Sequence, residues 1–215
     1  MKRSPDGKMD AMTTSARIYA GVEGDQRKAE RRAQLIEAGL DLLGGPDGET
    51  AFSVRGVCKK AGLASRYFYE SFADREALAV AVYEHAVGRI AESALRAVAE
   101  APQEERALVR AVVAILVQEI SDDPRLGRLV FFASLNNMLA QQRLESVRMF
   151  VGLTIAQAVD FYDTPSGPEL DLVGHFVVGG LAQILTAWLD GAVEVDTETL
   201  IERCTDLMIA AGGVR

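Results

Sequence analysis

Two predicted short helices joined at a glycine constrain this chain more than any other feature. In the stretch 53–78, apolar residues recur at helical spacing after Ser53, whose hydroxyl can cap the first turn of a helix. Gly62 can adopt the left-handed backbone that a sharp turn between helices needs. A second helix is predicted over 64–70, and Asp74 caps a longer third one. A helix, a glycine turn and a short second helix are typical of proteins that lay the second helix in the major groove of DNA.

Three sequence blocks in this stretch resemble the DNA-binding region of the tetracycline-repressor (TetR) family of bacterial transcriptional regulators. The blocks are AGL at 61–63, YFYESF at 67–72 and DREAL at 74–78, and the resemblance extends over 27–83. It implies an all-α fold with an N-terminal three-helix DNA-binding domain at 27–76. A C-terminal helical domain at 77–215 would then bind an effector and form a homodimer.

The resemblance also implies which residues contact DNA. Arg66, in the first turn of the second helix, can read a guanine edge or contact a phosphate, whereas Tyr69 and Arg75 match phosphate-binding positions of the family. The predicted DNA-contacting residues are Arg27, Ser53, Val54, Arg55, Ala64, Ser65, Arg66, Tyr67, Tyr69 and Arg75. Ala64 stands where the family usually has a capping Ser or Thr, and Arg66 where Gly is frequent. The operator sequence therefore does not follow from the resemblance.

The charge distribution is compatible with DNA binding although the net charge is −8. Residues 1–78 hold 13 Lys and Arg against 12 Asp and Glu, whereas residues 79–215 hold 10 against 19. Phosphate contact needs a local basic face and not a basic total. Basic residues cluster at 27–32 and within or beside the helix-turn-helix, so the N-terminal part carries the predicted DNA-binding face.

The hydrophobic pattern divides the chain into about nine helices with no strand. Residues 1–26 have no periodicity and are interpreted as a mobile tail, with Met1, Met9 and Met12 all open as translation starts. The first helix is predicted over 27–43, and the long helix 74–100 is expected to connect the two domains. Five further helices are predicted between Pro102 and Ala211.

The stretch 172–189 contains 18 residues without a formal charge and meets the length threshold for a membrane span. Acidic residues flank it, and polar residues and glycines dilute it, so a buried or subunit-interface helix is the preferred interpretation. Gly179 and Gly180 lower helix propensity by about 1 kcal/mol each, which close approach of another helix would offset. Packing within one subunit is the alternative. The resemblance implies pairing of the last two helices across a two-fold axis, and the predicted interface residues are Phe176, Gly179, Gly180, Ile184 and Leu207.

Aromatic and polar residues of the C-terminal part can line an apolar cavity with a few polar anchors. The predicted lining residues are Phe131, Asn136, Phe150, His175, Gln183 and Trp188. Residue by residue, ordinary core and surface explain them equally well, and the resemblance alone implies a pocket for a small apolar effector.

Several classes of function lack the residues they need. Two histidines and two separated cysteines do not form a metal site or a disulfide framework, and no nucleophile elbow, phosphate loop or acid pair occurs. We therefore expect no enzyme activity and no cofactor. The resemblance implies a location in the bacterial cytoplasm and, as function, repression from a palindromic DNA operator that a small molecule relieves. An effector-independent regulator or activator, and a helical protein that binds a lipid-like ligand and carries a degenerate DNA domain, are the alternatives.

Overall fold

A computed structural model describes residues 9–132, 137–163 and 165–212, with side chains described for 24–48, 50–131, 138–163 and 165–212. Within these ranges the chain forms helices and no strand, which confirms the predicted all-α fold. The α-helices are α1 (Met9–Leu43), α2 (Gly48–Ala51), α3 (Val54–Ala61), α4 (Ser65–Tyr69), α5 (Arg75–Glu100), α6 (Glu105–Asp122), α7 (Pro124–Gly127), α8 (Ala140–Tyr162), α9 (Pro168–Leu189) and α10 (Thr197–Gly212).

Each of the nine predicted helices has a counterpart, and the structure adds the single turn α2. The predicted start of the first helix at Arg27 is wrong, because α1 begins at Met9. Once a helix is nucleated each further residue adds a hydrogen bond, and residues 9–26 contain no proline to stop it. Residues 1–8 of the predicted tail lie outside the described residues.

The helix predicted after Asp123 changes its winding after one turn. Asp123 caps α7 by accepting a hydrogen bond from the Arg125 amide at 3.2 Å, and Pro124 occupies the first turn. The chain then continues as a π-helical turn, Arg128–Phe132, and a 3₁₀ turn, Asn137–Leu139, precedes α8. Wider π turns are frequent at functional sites.

The helix-turn-helix forms from the local signals that predicted it. The Ser53 hydroxyl accepts a hydrogen bond from the Gly56 amide at 3.1 Å and caps α3. Gly62 has a φ of 68°, the left-handed conformation that ends α3 and turns the chain toward α4. Asp74 caps α5 by accepting a bond from the Ala77 amide at 2.7 Å. The caps and the turn therefore place α3 and α4 against each other and on α1.

One hydrophobic core runs through both parts of the chain along α5. In the N-terminal part, α1, α3, α4 and α5 enclose fully buried side chains, which include Leu35, Leu40, Phe52, Val57, Phe68, Leu78 and Val82. In the C-terminal part, α6 packs between α5 and α10, and α8 packs on α9. The same core continues there through Val113, Val117, Leu126, Leu185 and Leu200. The long helix α5 therefore connects the two parts, as the sequence predicted.

A charged cluster ties α1 to α7 at the junction of the two parts. The guanidinium of Arg125 pairs with Glu37 at 2.8 Å, with Asp41 and with Asp123 at 2.8 Å. Lys60 of α3 also pairs with Asp41, at 3.0 Å. Burial raises the pKa of Asp41, but hydrogen bonds from Lys60 and Arg125 outweigh it, so the pKa lies below its usual value. The helix-turn-helix and the C-terminal part therefore share one ion-pair network.

The same junction is closed by a backbone contact at Gly44. The Arg128 Nε donates a hydrogen bond to the Gly44 carbonyl at 2.6 Å. A methyl group on Gly44 would lie 2.5 Å from the Arg125 carbonyl oxygen, so the close approach of α1 and α7 requires glycine at this position.

Candidate nucleic-acid interface and effector cavity

Helix α4 buries Phe68 completely, half-buries Tyr67 and exposes its other three side chains. Phe68 is 0% exposed, and its ring lies 5.3 Å from the Tyr69 ring and 5.9 Å from the Phe72 ring. Ser65, Arg66 and Tyr69 are exposed, Tyr69 by 63%. Phe68 and Phe72 are therefore core residues, and the outer face of α4 is open to a partner.

Tyr67 is held among basic side chains at the edge of this face. The Arg66 Nη2 donates a hydrogen bond to the Tyr67 hydroxyl at 2.6 Å, and the guanidinium carbons of Arg31 and Arg66 each lie 4.6 Å from the Tyr67 ring centre. Arg31 also pairs with Glu70 at 3.6 Å. Arg31 of α1 thus contacts Tyr67 in the middle of α4 and Glu70 directly after α4. Arg31 was not among the predicted DNA-contacting residues, although it lies one helical turn after Arg27 in the basic run.

The remaining predicted DNA-contacting residues lie outside α4, apart from Ser65 within it. Ser53, Arg55, Ala64 and Arg27 are exposed, whereas Val54 is half-buried. The Ser53 hydroxyl already serves as the helix cap. These residues belong to α1, to α3 and to the residues that precede α3 and α4, and both α1 and α3 contact α4. Their contact with DNA stays a prediction.

Arg75 is oriented by the protein. Its Nη1 donates to the Phe52 carbonyl at 3.3 Å, and its Nε contacts Glu76 at 3.1 Å. The half-buried guanidinium is therefore fixed at the start of α5, directly after α4 in the chain.

A cavity of about 120 Å³ lies in the C-terminal part, between α5, α6, α8, α9, α10 and the π turn. Most of its walls are apolar, formed by Ile90, Ala94, Val112, Leu116, Val130, Phe131, Val147, Phe150, Val177, Val178, Leu181, Ala182, Leu185 and Met208. Phe131 and Phe150 are the two predicted effector-pocket residues that line it. Val130 and Phe131 belong to the π turn that continues α7, so the cavity wall and the Arg125 cluster lie on one continuous segment.

Four polar residues complete the cavity wall. The hydroxyls of Tyr83 and Ser146 lie 2.9 Å apart, and the Ser146 Oγ also donates to the Arg143 carbonyl at 2.9 Å. Burial raises the pKa of the Tyr83 phenol, so the phenol is neutral at physiological pH. The Thr154 hydroxyl donates to the Phe150 carbonyl at 2.9 Å. The Arg143 Nη1 donates to the Phe131 carbonyl at 3.4 Å.

The polar lining was not predicted from the sequence, although α8 carries a signal for it. The lining residues of α8 recur at helical spacing on one face: Arg143, Ser146, Val147, Phe150 and Thr154. Arg143 lies at the start of this mostly apolar face, and a charged side chain is rarely buried unless it has a partner.

Three other predicted effector residues do not line the cavity. His175 and Gln183 are exposed, and the half-buried Trp188 donates its Nε1–H to the Val195 carbonyl at 3.1 Å. On α9 the cavity is lined by Val177, Val178, Leu181, Ala182 and Leu185, and an α-helix directs residues two positions away to the opposite side. Asn136 lies outside the described residues.

The opposite side of α9 is an exposed apolar surface, referred to below as the α9 face. It consists of Leu172 and Phe176, which are 72% and 71% exposed, together with the exposed Gly179 and Gly180. A methyl group on either glycine would meet no atom within 4 Å, and Leu207 of α10 is 58% exposed. Helix α9 is long and apolar enough to cross a membrane, but only 22% of its most apolar window is buried. Packing within one chain therefore does not explain the two glycines. Ile184, the remaining predicted interface residue, is half-buried.

Comparison with solved structures identifies proteins of the same architecture. The FadR fatty acid degradation regulator of Bacillus halodurans superposes with a TM-score of 0.69 at 18% identity, over 86% of this chain and 96% of that one. FadR of Bacillus subtilis, solved in complex with stearoyl-CoA, gives 0.69 at 16% identity over 83% and 98%. A TetR-family transcriptional regulator from Streptomyces coelicolor gives 0.64 at 18% identity over 85% and 98%.

Comparison by sequence finds no match: no protein-family model and no curated protein matches this chain. At identities below one fifth, structural similarity establishes the fold and leaves function to be argued from the residues. The similarity covers 83–86% of this chain in these three comparisons. This chain has the fold of the TetR-family transcriptional regulators.

Proposed function

We propose that this protein is a homodimeric bacterial transcriptional regulator of the cytoplasm, which represses from a palindromic DNA operator and is released by a small effector. The observation that carries the proposal is the geometry of α4. One buried phenylalanine fixes the helix, while Ser65, Arg66 and Tyr69 point into solvent. A short helix with exposed donors beside a glycine turn is suited to read base edges in the major groove.

The α9 face supports the homodimer. A single helix-turn-helix reads only half a site, so two copies must be held about 34–36 Å apart to occupy successive major grooves. Soluble proteins rarely leave a continuous apolar surface open, and a two-fold axis lets one surface cover itself. Phe176 and Leu207 supply the apolar area, and the open space above Gly179 and Gly180 lets a second helix approach closely.

The cavity and the Arg125 cluster support effector control. A ligand in the 120 Å³ cavity contacts Phe131, which lies in the π turn continuous with α7. Arg125 of α7 holds Glu37 and Asp41 of α1, and Asp41 also holds Lys60 of α3. Displacement of the π turn is therefore transmitted to the helix-turn-helix. Moving operator occupancy from nearly full to nearly empty needs about 5.5 kcal/mol of differential affinity.

The proposal is tested by selecting operators from random duplex DNA with the purified protein. Enrichment of an inverted repeat with half-sites one helical turn apart is the expected result. Binding is then measured by fluorescence anisotropy at fixed salt, because phosphate contacts make affinity strongly salt-dependent. Sedimentation analysis of Phe176→Asp should show a monomer that has lost the palindrome preference.

Two variants of α4 separate base reading from phosphate contact. Arg66→Ala should relax base preference at one position in each half-site, and a uniform loss would reassign Arg66 to the DNA backbone. Tyr69→Phe should weaken binding to all duplexes alike, and a changed base preference would contradict its phosphate role. Arg148→Ala, at an exposed arginine of α8 far along the chain, is the matched control.

Two other functions predict different results. The apolar cavity also fits a protein that carries a lipid-like ligand, and failure to enrich a palindrome together with co-purifying cargo would favour that function. Operator binding that no compound in a thermal-shift screen alters would favour an effector-independent regulator.

A further inference from the structure

The cavity wall carries one charged side chain, Arg143, within an otherwise apolar and hydroxylated lining. Among the described residues, no carboxylate lies within ion-pair distance of its guanidinium, and its hydrogen bond to the Phe131 carbonyl is long, at 3.4 Å. By contrast, Arg125, Arg106 and Arg110 each pair with two or more carboxylates. A half-buried guanidinium beside apolar walls is costly unless an anion accompanies it.

The neutral hydroxyls next to Arg143 add hydrogen-bonding capacity at the same place. Ser146 lies one helical turn after Arg143, and its hydroxyl joins the Tyr83 hydroxyl at 2.9 Å. The Tyr83 hydroxyl can redirect its proton to an incoming acceptor, while the Ser146 hydroxyl keeps its bond to the Arg143 carbonyl. One guanidinium and one phenol are therefore available to the two oxygens of a carboxylate, which a planar guanidinium binds in a two-pronged manner.

The volume of the cavity limits the rest of the ligand. At about 120 Å³ it is close to the roughly 150 Å³ apolar cavity of an engineered protein that binds benzene. Drug-sized ligands occupy pockets of about 300–1,000 Å³. An apolar body of roughly six non-hydrogen atoms therefore fits the cavity, whereas a long acyl chain does not fit without rearrangement of the walls.

We propose that the effector is a compact apolar monocarboxylate, whose carboxylate binds Arg143 and Tyr83 and whose body fills the cavity beside Phe131 and Phe150. The proposal rests on the effector cavity of the proposed function and names its ligand class. The carboxylate completes the ion pair that the chain leaves open, and the body presses on the π turn that leads to α7.

The test uses benzoate as the probe and benzamide as its neutral match of equal shape. Isothermal titration calorimetry on the full-length dimer should give measurable benzoate binding, with benzamide weaker by roughly 10- to 100-fold, the effect of losing a charged hydrogen-bonded pair. Arg143→Gln should lower benzoate affinity by a similar factor and leave benzamide unchanged. Arg143→Lys should restore part of the loss, and Tyr83→Phe should weaken benzoate binding by roughly 3- to 10-fold. Arg148→Gln, on an exposed position of the same helix, should bind benzoate as the wild type does.

Three results would overturn the proposal: equal affinity for benzamide and benzoate, unchanged benzoate affinity in Arg143→Gln, or binding of stearate without binding of benzoate. Operator affinity is also measured without ligand, so that a failure of the ligand proposal can be distinguished from a failure of the proposed regulator function. Intact operator binding with no carboxylate binding refutes the ligand class alone, whereas benzoate binding without any operator refutes the regulator and leaves the ligand site standing.

Discussion

Phe68 in the N-terminal part and Phe176 in the C-terminal part have opposite environments. Phe68 of α4 is 0% exposed and packs against Phe72, whereas Phe176 of α9 is 71% exposed. Near Phe68 in the chain, the exposed side chains include Ser65, Arg66 and Tyr69, which all carry hydrogen-bond donors. Around Phe176, the exposed neighbours are Leu172 and two glycines.

The difference indicates what each end of the molecule requires. The N-terminal part completes its own core within one chain and offers hydrogen-bond donors, which suits a hydrated polyanion. The C-terminal part leaves apolar area exposed to water. A partner that covered this area would gain about 25 cal/mol of binding free energy for each Å² removed from water. We therefore expect the exposed face of α4 and the α9 face to bind different partners. The same substitution, phenylalanine to alanine, should then have different effects on stability and self-association in the two parts.

The largest expected effect comes from truncating the two phenylalanines. Phe68→Ala should lower the free energy of unfolding by about 3–5 kcal/mol, because it leaves a cavity in the shared core. Phe176→Ala should change the unfolding free energy of the dilute monomer by no more than about 0.5 kcal/mol, yet weaken self-association. Urea titration and sedimentation on both variants make the comparison. A large loss in dilute Phe176→Ala would show that the α9 face is covered within one chain.

The elements of the helix-turn-helix were predictable because their signals are local. Ser53, Gly62 and Asp74 act on backbone groups within three or four residues, so the sequence contains both the cause and the effect. The start of α1 was not predictable in the same way. Residues 9–26 carry neither an apolar period nor a stop signal, and the preference for a tail rested on composition alone.

The cavity was less predictable because it depends on how helices from distant parts of the chain pack. Periodicity on α9 identifies two apolar sides but not which side meets α8, so His175 and Gln183 were placed in the pocket although they are exposed. Arg143 was missed for the same reason. Its partners in the wall, Tyr83 and Phe131, are far from it in the sequence or lie beyond a break in helical winding.

The next largest effect concerns the junction between the two ends. Arg125→Ala removes a half-buried guanidinium that three carboxylates contact, and should lower the unfolding free energy by about 1–3 kcal/mol, between the limits for exposed and fully buried pairs. Thermal and urea unfolding measure the loss. Arg203→Ala, at a largely exposed arginine with one long ion pair, is the control and should have little effect. An equal loss of unfolding free energy in the two variants would show that the ion pairs of Arg125 do not stabilise the junction specifically.

The stability difference between wild type and Arg125→Ala should depend on pH. Hydrogen bonding to Arg125 holds the pKa of Asp123 below its usual value, and Asp41 is lowered as well. A carboxyl whose folded pKa lies below its unfolded pKa stabilises the fold above the unfolded value, about 4, and loses that contribution as pH falls through the folded value. Unfolding measured from pH 7 to pH 2.5 should therefore show the two proteins converging in acid. A constant difference across this range would assign the effect of Arg125 to packing.

The smallest expected effect concerns the start of α4, which lacks the side-chain cap that α3 has. Ala64 has the extended backbone of a helix cap, with φ −71° and ψ 147°, but no side chain to accept a bond from the first turn. Ala64→Ser should add that bond and raise the unfolding free energy by about 0.5–1 kcal/mol, and Ser53→Ala should lower it by a similar amount at the start of α3. Urea titration resolves both changes. If Ala64→Ser stabilises the fold without altering operator affinity, Phe68 already fixes α4 in its binding orientation. A gain in affinity that is equal for all duplexes would show that the first turn is ordered by DNA or that the new hydroxyl contacts a phosphate, and a changed base preference would show that the new hydroxyl contacts a base.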